Sequence, residues 1–156
     1  MADVSDTVRR AKQFALDRFD DFLPHLVWLL TRADERTLLD PAADSVEYER
    51  ALYWVEAAIE TAPERADCLT MLGLARLRLR RHADALEPLQ LATAIPGQHL
   101  PAAWAVLAMA HARLGEVDQA RQALERAEEA SAASRVHDVG VALLREAAAR
   151  LQGVTE

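Results

Sequence analysis

A single cysteine, Cys68, stands in this chain of 156 residues, so no intrachain disulfide can form. A cross-linked secreted scaffold is thereby excluded, and a reducing compartment is the natural setting. Glycine is scarce, at 5 residues; Gly97 stands isolated, and there is no Gly-rich phosphate loop. Aromatic residues make up 5% of the chain against 51% hydrophobic residues overall, much of it alanine. That imbalance disfavours β-sheet, which is enriched in aromatic and β-branched side chains. It suits helices packed closely through small residues, because alanine has the best helix propensity and loses no side-chain entropy. No secretory leader is recognisable, since MADVSDTVRRAK is polar and charged. The most apolar run, residues 22–30, contains Pro24 and His25. It is far shorter than the roughly 20 residues a membrane helix needs. The expectation is a cytoplasmic protein of about one domain, with no membrane partner.

Catalytic and metal-binding patterns are missing too. His25, His82, His99, His111 and His137 form neither an i,i+4 pair nor an H-E-x-x-H motif. Cys68 at the start of a helix reads as packing and not as a nucleophile. No enzyme activity, metal or cofactor is expected. The formal net charge of −7 disfavours non-specific nucleic-acid binding, which depends on neutralising phosphates. The charge is uneven, however. Residues 1–65 hold 8 basic and 14 acidic groups, whereas residues 66–115 hold 5 and 3. The run RLRLRRH, from Arg76 to His82, accounts for most of that positive block, and its alternation spreads the arginines over several helix faces.

What is present is a repeat. Leu72-Gly73 has its counterpart in Leu107-Ala108, 35 residues on, and Ala85, Leu89 and Ala92 correspond to Ala120, Leu124 and Ala127 at the same offset. Ala51, Val55 and Ala58 lie 34 residues before Ala85, Leu89 and Ala92. One unit reads Leu69-x2-Leu72-Gly73-x2-Arg76, then Ala85-x3-Leu89-x2-Ala92, closing at Pro96. The next reads Trp104-x2-Leu107-Ala108-x2-His111, then Ala120-x3-Leu124-x2-Ala127, with Gly115 in the turn between. The sequence resembles the tetratricopeptide repeat, whose pattern is W-x2-L-G-x2-Y, A-x3-F and P over about 34 residues of helix–turn–helix. Arg76 and His111 replace the usual tyrosine, and Pro88 falls inside a helix.

The resemblance implies an all-α fold. Antiparallel helix pairs stack into a right-handed superhelix, with extra N-terminal helices and a C-terminal capping helix. The division expected is an N-terminal helical segment over residues 1–46, repeats over 47–134, and a cap with its tail over 135–156. In the cap, Val136, Val139, Leu143, Leu144, Ala147 and Leu151 form one apolar stripe, with Arg145, Glu146 and Arg150 largely off it. Residues 31–45 read as a loop or a frayed short helix. Residues 22–30, including Trp28, form a helix apolar all round that completes the stack, contacts a second copy as a homodimer, or mimics a bound partner.

The resemblance further implies a concave groove lined by the first helices of successive pairs. Its side chains would be Asp67, Thr70, Leu74, Leu77 and Arg78 in one repeat, then Ala102, Ala105, Met109, Ala112 and Arg113 in the next. Such a surface is apolar with an arginine at the same place in each repeat, and would hold a peptide with apolar anchors and some acidic residues. Replacing Leu74, Met109 and Arg113 together is expected to abolish capture and leave stability nearly intact. The Lys, Asn and Arg clamp by which related repeats hold acidic chaperone tails is missing, because Thr70, Leu74, Ala102 and Val106 occupy the matching places. The expected function is therefore a protein-interaction module, an adaptor or chaperone. The alternatives are a chaperone resembling those of bacterial type III secretion translocators, and a self-associating scaffold.

Overall fold

The computed structural model describes residues 35–61, 63–96, 101–133 and 138–153. The apolar segment over residues 22–30, with the dimer contact expected of it, lies outside them. Residues 35–39 are helical and end where the Asp40 N–H donates to the Arg36 carbonyl, at 3.1 Å. The Asp40 carboxylate then accepts the Ala42 N–H at 2.9 Å, turning the chain.

Helix α1 (Ser45–Thr61) starts at a capping box. The Glu47 N–H donates to Asp44 Oδ1 at 2.8 Å, and the Asp44 N–H donates back to Glu47 Oε2 at 3.2 Å. Two orphan donors of the first turn are thus satisfied reciprocally. Then follow α2 (Ala66–Arg78), α3 (His82–Ala94), α4 (Pro101–Arg113), α5 (Val117–Ala133) and α6 (Asp138–Gln152). Proline at the first position of α4 loses no helical hydrogen bond there. Helices α2 and α4 are both 13 residues long and begin 35 residues apart, so the sequence period is a structural period.

The turns closing α2 and α4 are alike. The Arg81 N–H donates to the Arg76 carbonyl at 2.8 Å and Arg80 N–H to Leu77 at 3.1 Å; Glu116 N–H donates to His111 at 3.0 Å and Gly115 N–H to Ala112 at 3.2 Å. This Schellman pairing needs a left-handed residue. Gly115 supplies it with φ 78°, whereas Arg80 adopts φ 60°. For a residue with a Cβ that conformation costs about 1 kcal/mol.

Each helix packs on the next, and α4 also packs on both α2 and α6. The result is an inner layer of α2, α4 and α6 and an outer layer of α1, α3 and α5. Small residues set the spacing: a Cβ added at Gly73 would meet Leu89 Cδ2 at 2.6 Å, so only glycine lets α2 and α3 approach this closely. Leu38, Leu74, Leu89, Met109 and Leu143 are the large side chains sealed inside, together with Val55 and Val106. Each contributes about 2–3 kcal/mol of burial. Leu143, Ala147 and Leu151 of α6 are buried, so the last helix closes the stack with an apolar stripe.

Both replacements of the usual tyrosine have a structural reason. Helix α3 runs unbroken through Pro88, which cannot donate to the carbonyl four residues earlier. Arg76 Nη1 donates to that Asp84 carbonyl at 2.9 Å. In the next repeat His111 Nδ1 lies 2.6 Å from Glu116 Oε2, tying the inner helix to the start of α5.

Candidate functional site

The inner faces of α2 and α4 do bring the expected residues together, but as core and not as open surface. Thr70, Leu74, Leu77, Ala105, Met109 and Ala112 are all buried. Leu74, Leu77, Ala105 and Met109 belong to one apolar cluster with Leu38, Leu143 and Ala147. The Thr70 hydroxyl is already used, donating to the Ala66 carbonyl at 2.7 Å. Asp67 is half-buried and bound to Arg65, and it accepts the Cys68 N–H at 2.9 Å. Burial works to raise its pKa, but the Arg65 guanidinium and the Cys68 N–H outweigh it, leaving the carboxyl below its ordinary value. Ala102 is half-buried, and Arg113 is exposed.

Arg78 is not a flanking surface residue, since its side chain is only 4% exposed. Its Nε donates to the Leu38 carbonyl at 2.9 Å, and its two terminal nitrogens grip Glu146 at 2.5 and 2.7 Å. Arg150 Nη2 donates to the same carboxylate at 2.5 Å. Glu146, beside the buried stripe of α6, therefore reaches across to α2, with Arg150 supporting it. Burial alone would raise the Glu146 pKa, but Arg78 and then Arg150 outweigh it and hold it down. The fork of one arginine and the help of a second keep this charge paired at a half-buried site.

Residues 44–127 match a family model described as "Anaphase-promoting complex, cyclosome, subunit 3", a tetratricopeptide-type family. That stretch is more than half of the chain. The chain belongs to this tetratricopeptide-repeat family. Among solved structures, the first TPR domain of human RPAP3 aligns with TM-score 0.61 and 19% identity, covering 85% of this chain and 97% of that one. The second TPR domain of human RPAP3, solved with the HSP70 peptide SGPTIEEVD, aligns with TM-score 0.61 and 17% identity, over 85% and 98% of the two chains. The TPR2AB domain of yeast Sti1, solved as a pHSP90 complex, gives TM-score 0.65 and 16% identity. That match covers all of this chain but 57% of the other. These likenesses establish the fold. No curated protein sequence matches the chain.

Within the tetratricopeptide stack, the C-terminal ends of α2, α4 and α6 gather at one edge. Arg78, Arg80, Arg113 and Arg150 line a cavity of about 310 Å3 there, together with His82 and Tyr48. The Tyr48 hydroxyl donates to the Asp40 carbonyl at 2.6 Å, fixing the loop beside the cavity. His82 has a buried Nδ1 with no hydrogen-bond partner among the described residues. Burial, then Arg113, Arg150 and Arg80, lower the His82 pKa, so its neutral form is favoured. Burial lowers Arg113 as well, followed by Arg150 and Arg80. The 35-residue period pairs Arg78 with Arg113 and so marks two members of this edge. Arg80 was legible as a member of the basic run from Arg76 to His82, which does not by itself place it on a cavity. Glu146 and Arg150 show an i,i+4 spacing, which does not reveal that they face Arg78.

Among the described residues, no helix is long and apolar enough to cross a membrane, and no group of three metal-ligating side chains occurs. Cys68 is buried, and burial, followed by Asp67, pushes its thiol up to about 11.

Proposed function

We propose that the chain is a protein-interaction module, an adaptor or chaperone that holds a peptide segment of a partner protein on the inner helices of its repeats. The observation carrying this reading is the repeated layout of α2 and α4: an apolar stripe ending in an arginine, at the same register in both helices. The likeness to the human RPAP3 domain solved with an HSP70 peptide supports it, since the same fold there holds a short segment. The contact residues proposed are Asp67, Thr70, Leu74, Leu77, Arg78, Ala105, Met109 and Arg113. They divide into two groups by accessibility. Arg113 is exposed and can meet an acidic side chain directly, with Asp67 half-exposed at the other end. The buried apolar stripe and Arg78 are reached only when the packing over them is displaced. A partner with apolar anchors and some acidic residues fits both conditions. The buried Thr70, Leu74 and Val106 at the places of the chaperone-tail clamp argue against recognition of a free carboxylate there.

The test uses the intact chain as bait in affinity capture, beside an Arg113→Glu variant. A partner retained by the wild type and lost by the variant is the expected result. Hydrogen exchange of the recovered complex should then show protection on α2 and α4. Retention indifferent to Arg113→Glu, with protection confined to α1, α3 and α5, would move the partner to the outer layer and overturn the reading.

A further inference from the structure

The arginine edge of the stack carries more positive charge than the fold uses. Of the four guanidinium groups on the cavity, Arg78 and Arg150 share Glu146. Among the described residues no carboxylate forms an ion pair with Arg80 or Arg113, although the Glu146 charge acts on Arg113 from beyond contact. A bland explanation accounts for part of this, because cations in the last turn of a helix complement its dipole. Arg78, Arg113 and Arg150 occupy the last turns of α2, α4 and α6. Counting each helix end at roughly −0.5 and including Glu146, the lining arginines alone keep an excess of about +1.5. Nor does the explanation cover Arg80, which lies beyond its helix. Arg80 holds a left-handed backbone where the equivalent Gly115 needs no strain, and its side chain lines the cavity. The His82 ring on the same cavity has a nitrogen left unpartnered.

We propose that this cavity binds a phosphoryl dianion, supplied by inorganic phosphate or by a phosphorylated side chain of a peptide. A phosphoryl group carries about −1.5 to −2 at neutral pH and accepts forked hydrogen bonds from several arginines at once. That charge matches the excess, whereas one carboxylate would leave part of it uncompensated. A cavity of about 310 Å3 suits a single such group. The cavity shares Leu77, Arg78 and Arg113 with the proposed peptide contacts, but titration of the chain alone with phosphate tests it without peptide capture.

The experiment titrates the intact chain with inorganic phosphate, followed by calorimetry and melting temperature, against sodium chloride of equal ionic strength. Saturable binding and a rise in melting temperature beyond the chloride control are expected. Arg80→Gly and Arg113→Gln should each weaken binding about tenfold, as loss of one charge-assisted contact implies, and the double variant should abolish it. Arg80→Gly removes a strained residue and Arg113→Gln a repelled charge, so the ligand-free variants should melt no lower than wild type. Two further probes separate the sources: the pentapeptide Ala-Leu-phosphoserine-Leu-Ala and its unphosphorylated form. Tighter binding of the phosphopeptide than of phosphate assigns the group to a peptide side chain; equal binding assigns it to free phosphate. A response no larger than that to chloride, or one undiminished in the double variant, overturns the proposal.

Discussion

Arg76 repairs a defect that Pro88 introduces: its Nη1 donates, at 2.9 Å, to the Asp84 carbonyl for which Pro88 has no amide hydrogen. The two residues should therefore be coupled energetically although they sit on different helices. Arg76→Ala is expected to cost about 1 kcal/mol in the wild type, the worth of one exposed hydrogen bond to a charged group. In a Pro88→Ala background the new amide serves Asp84 itself, and the cost should shrink toward zero. Urea denaturation of the four proteins in a double-mutant cycle measures this. Equal costs in both backgrounds would show that Arg76 does not act through that carbonyl.

Leu74 and Met109 are each 0% exposed, so stability and binding cannot be separated at these positions. The expectation that Leu74, Met109 and Arg113 can be replaced together without loss of stability is corrected on this ground. Leu74→Ala and Met109→Ala should each cost about 3 kcal/mol through lost burial and a cavity. Arg113→Gln should cost almost nothing. Denaturant midpoints of the three single variants check the contrast.

The Glu146 cluster makes part of the stability dependent on pH. Arg78 and Arg150 outweigh burial and hold its carboxyl below the ordinary 4.5. The unfolded chain therefore takes up a proton before the native one does, and stability rises with pH in that window. The contribution is complete above about pH 4.5 and is lost as pH falls through the lowered native value. Accordingly, the stability difference between wild type and Glu146→Gln should be present at neutral pH and shrink as the pH falls below about 4.5. A pH-independent difference would assign the effect to shape and not to charge.

Cys68 offers a simple probe of the core. Its thiol is buried and pushed up to about 11, from an ordinary 9.0. Only the thiolate reacts, so labelling by an aromatic disulfide at pH 8 should be on the order of a hundredfold slower in the native chain than in urea. Comparable rates would mean that the start of α2 opens readily.

Much of the stack was legible because repeat packing is local. The offset of Leu72-Gly73 from Leu107-Ala108 fixed the pairing of α2 and α4, and alanines at repeated spacing fixed the close faces. The site was less legible, since exposure is not a local property. Leu74 and Met109 on an inner face read equally as groove and as core, and only the assembled cluster with Leu38 and Leu143 decides between them. Arg78 and Glu146 are 68 residues apart, and no periodicity links them. The role of Arg76 needed Pro88 and Asp84 to be seen together in one turn of helix.

In a stack whose units touch only their neighbours, the ends can peel away while the middle stays folded. The bidentate bridge from Arg78 to Glu146 joins α2 to α6, two helices whose backbones do not approach each other, and the same guanidinium holds the Leu38 carbonyl. One side chain thus clips the leading segment, the first complete pair and the terminal helix into a closed circuit. Release of residues 35–39 or of α6 has to break one of these contacts, so the two ends of the described stack are latched to each other through Arg78.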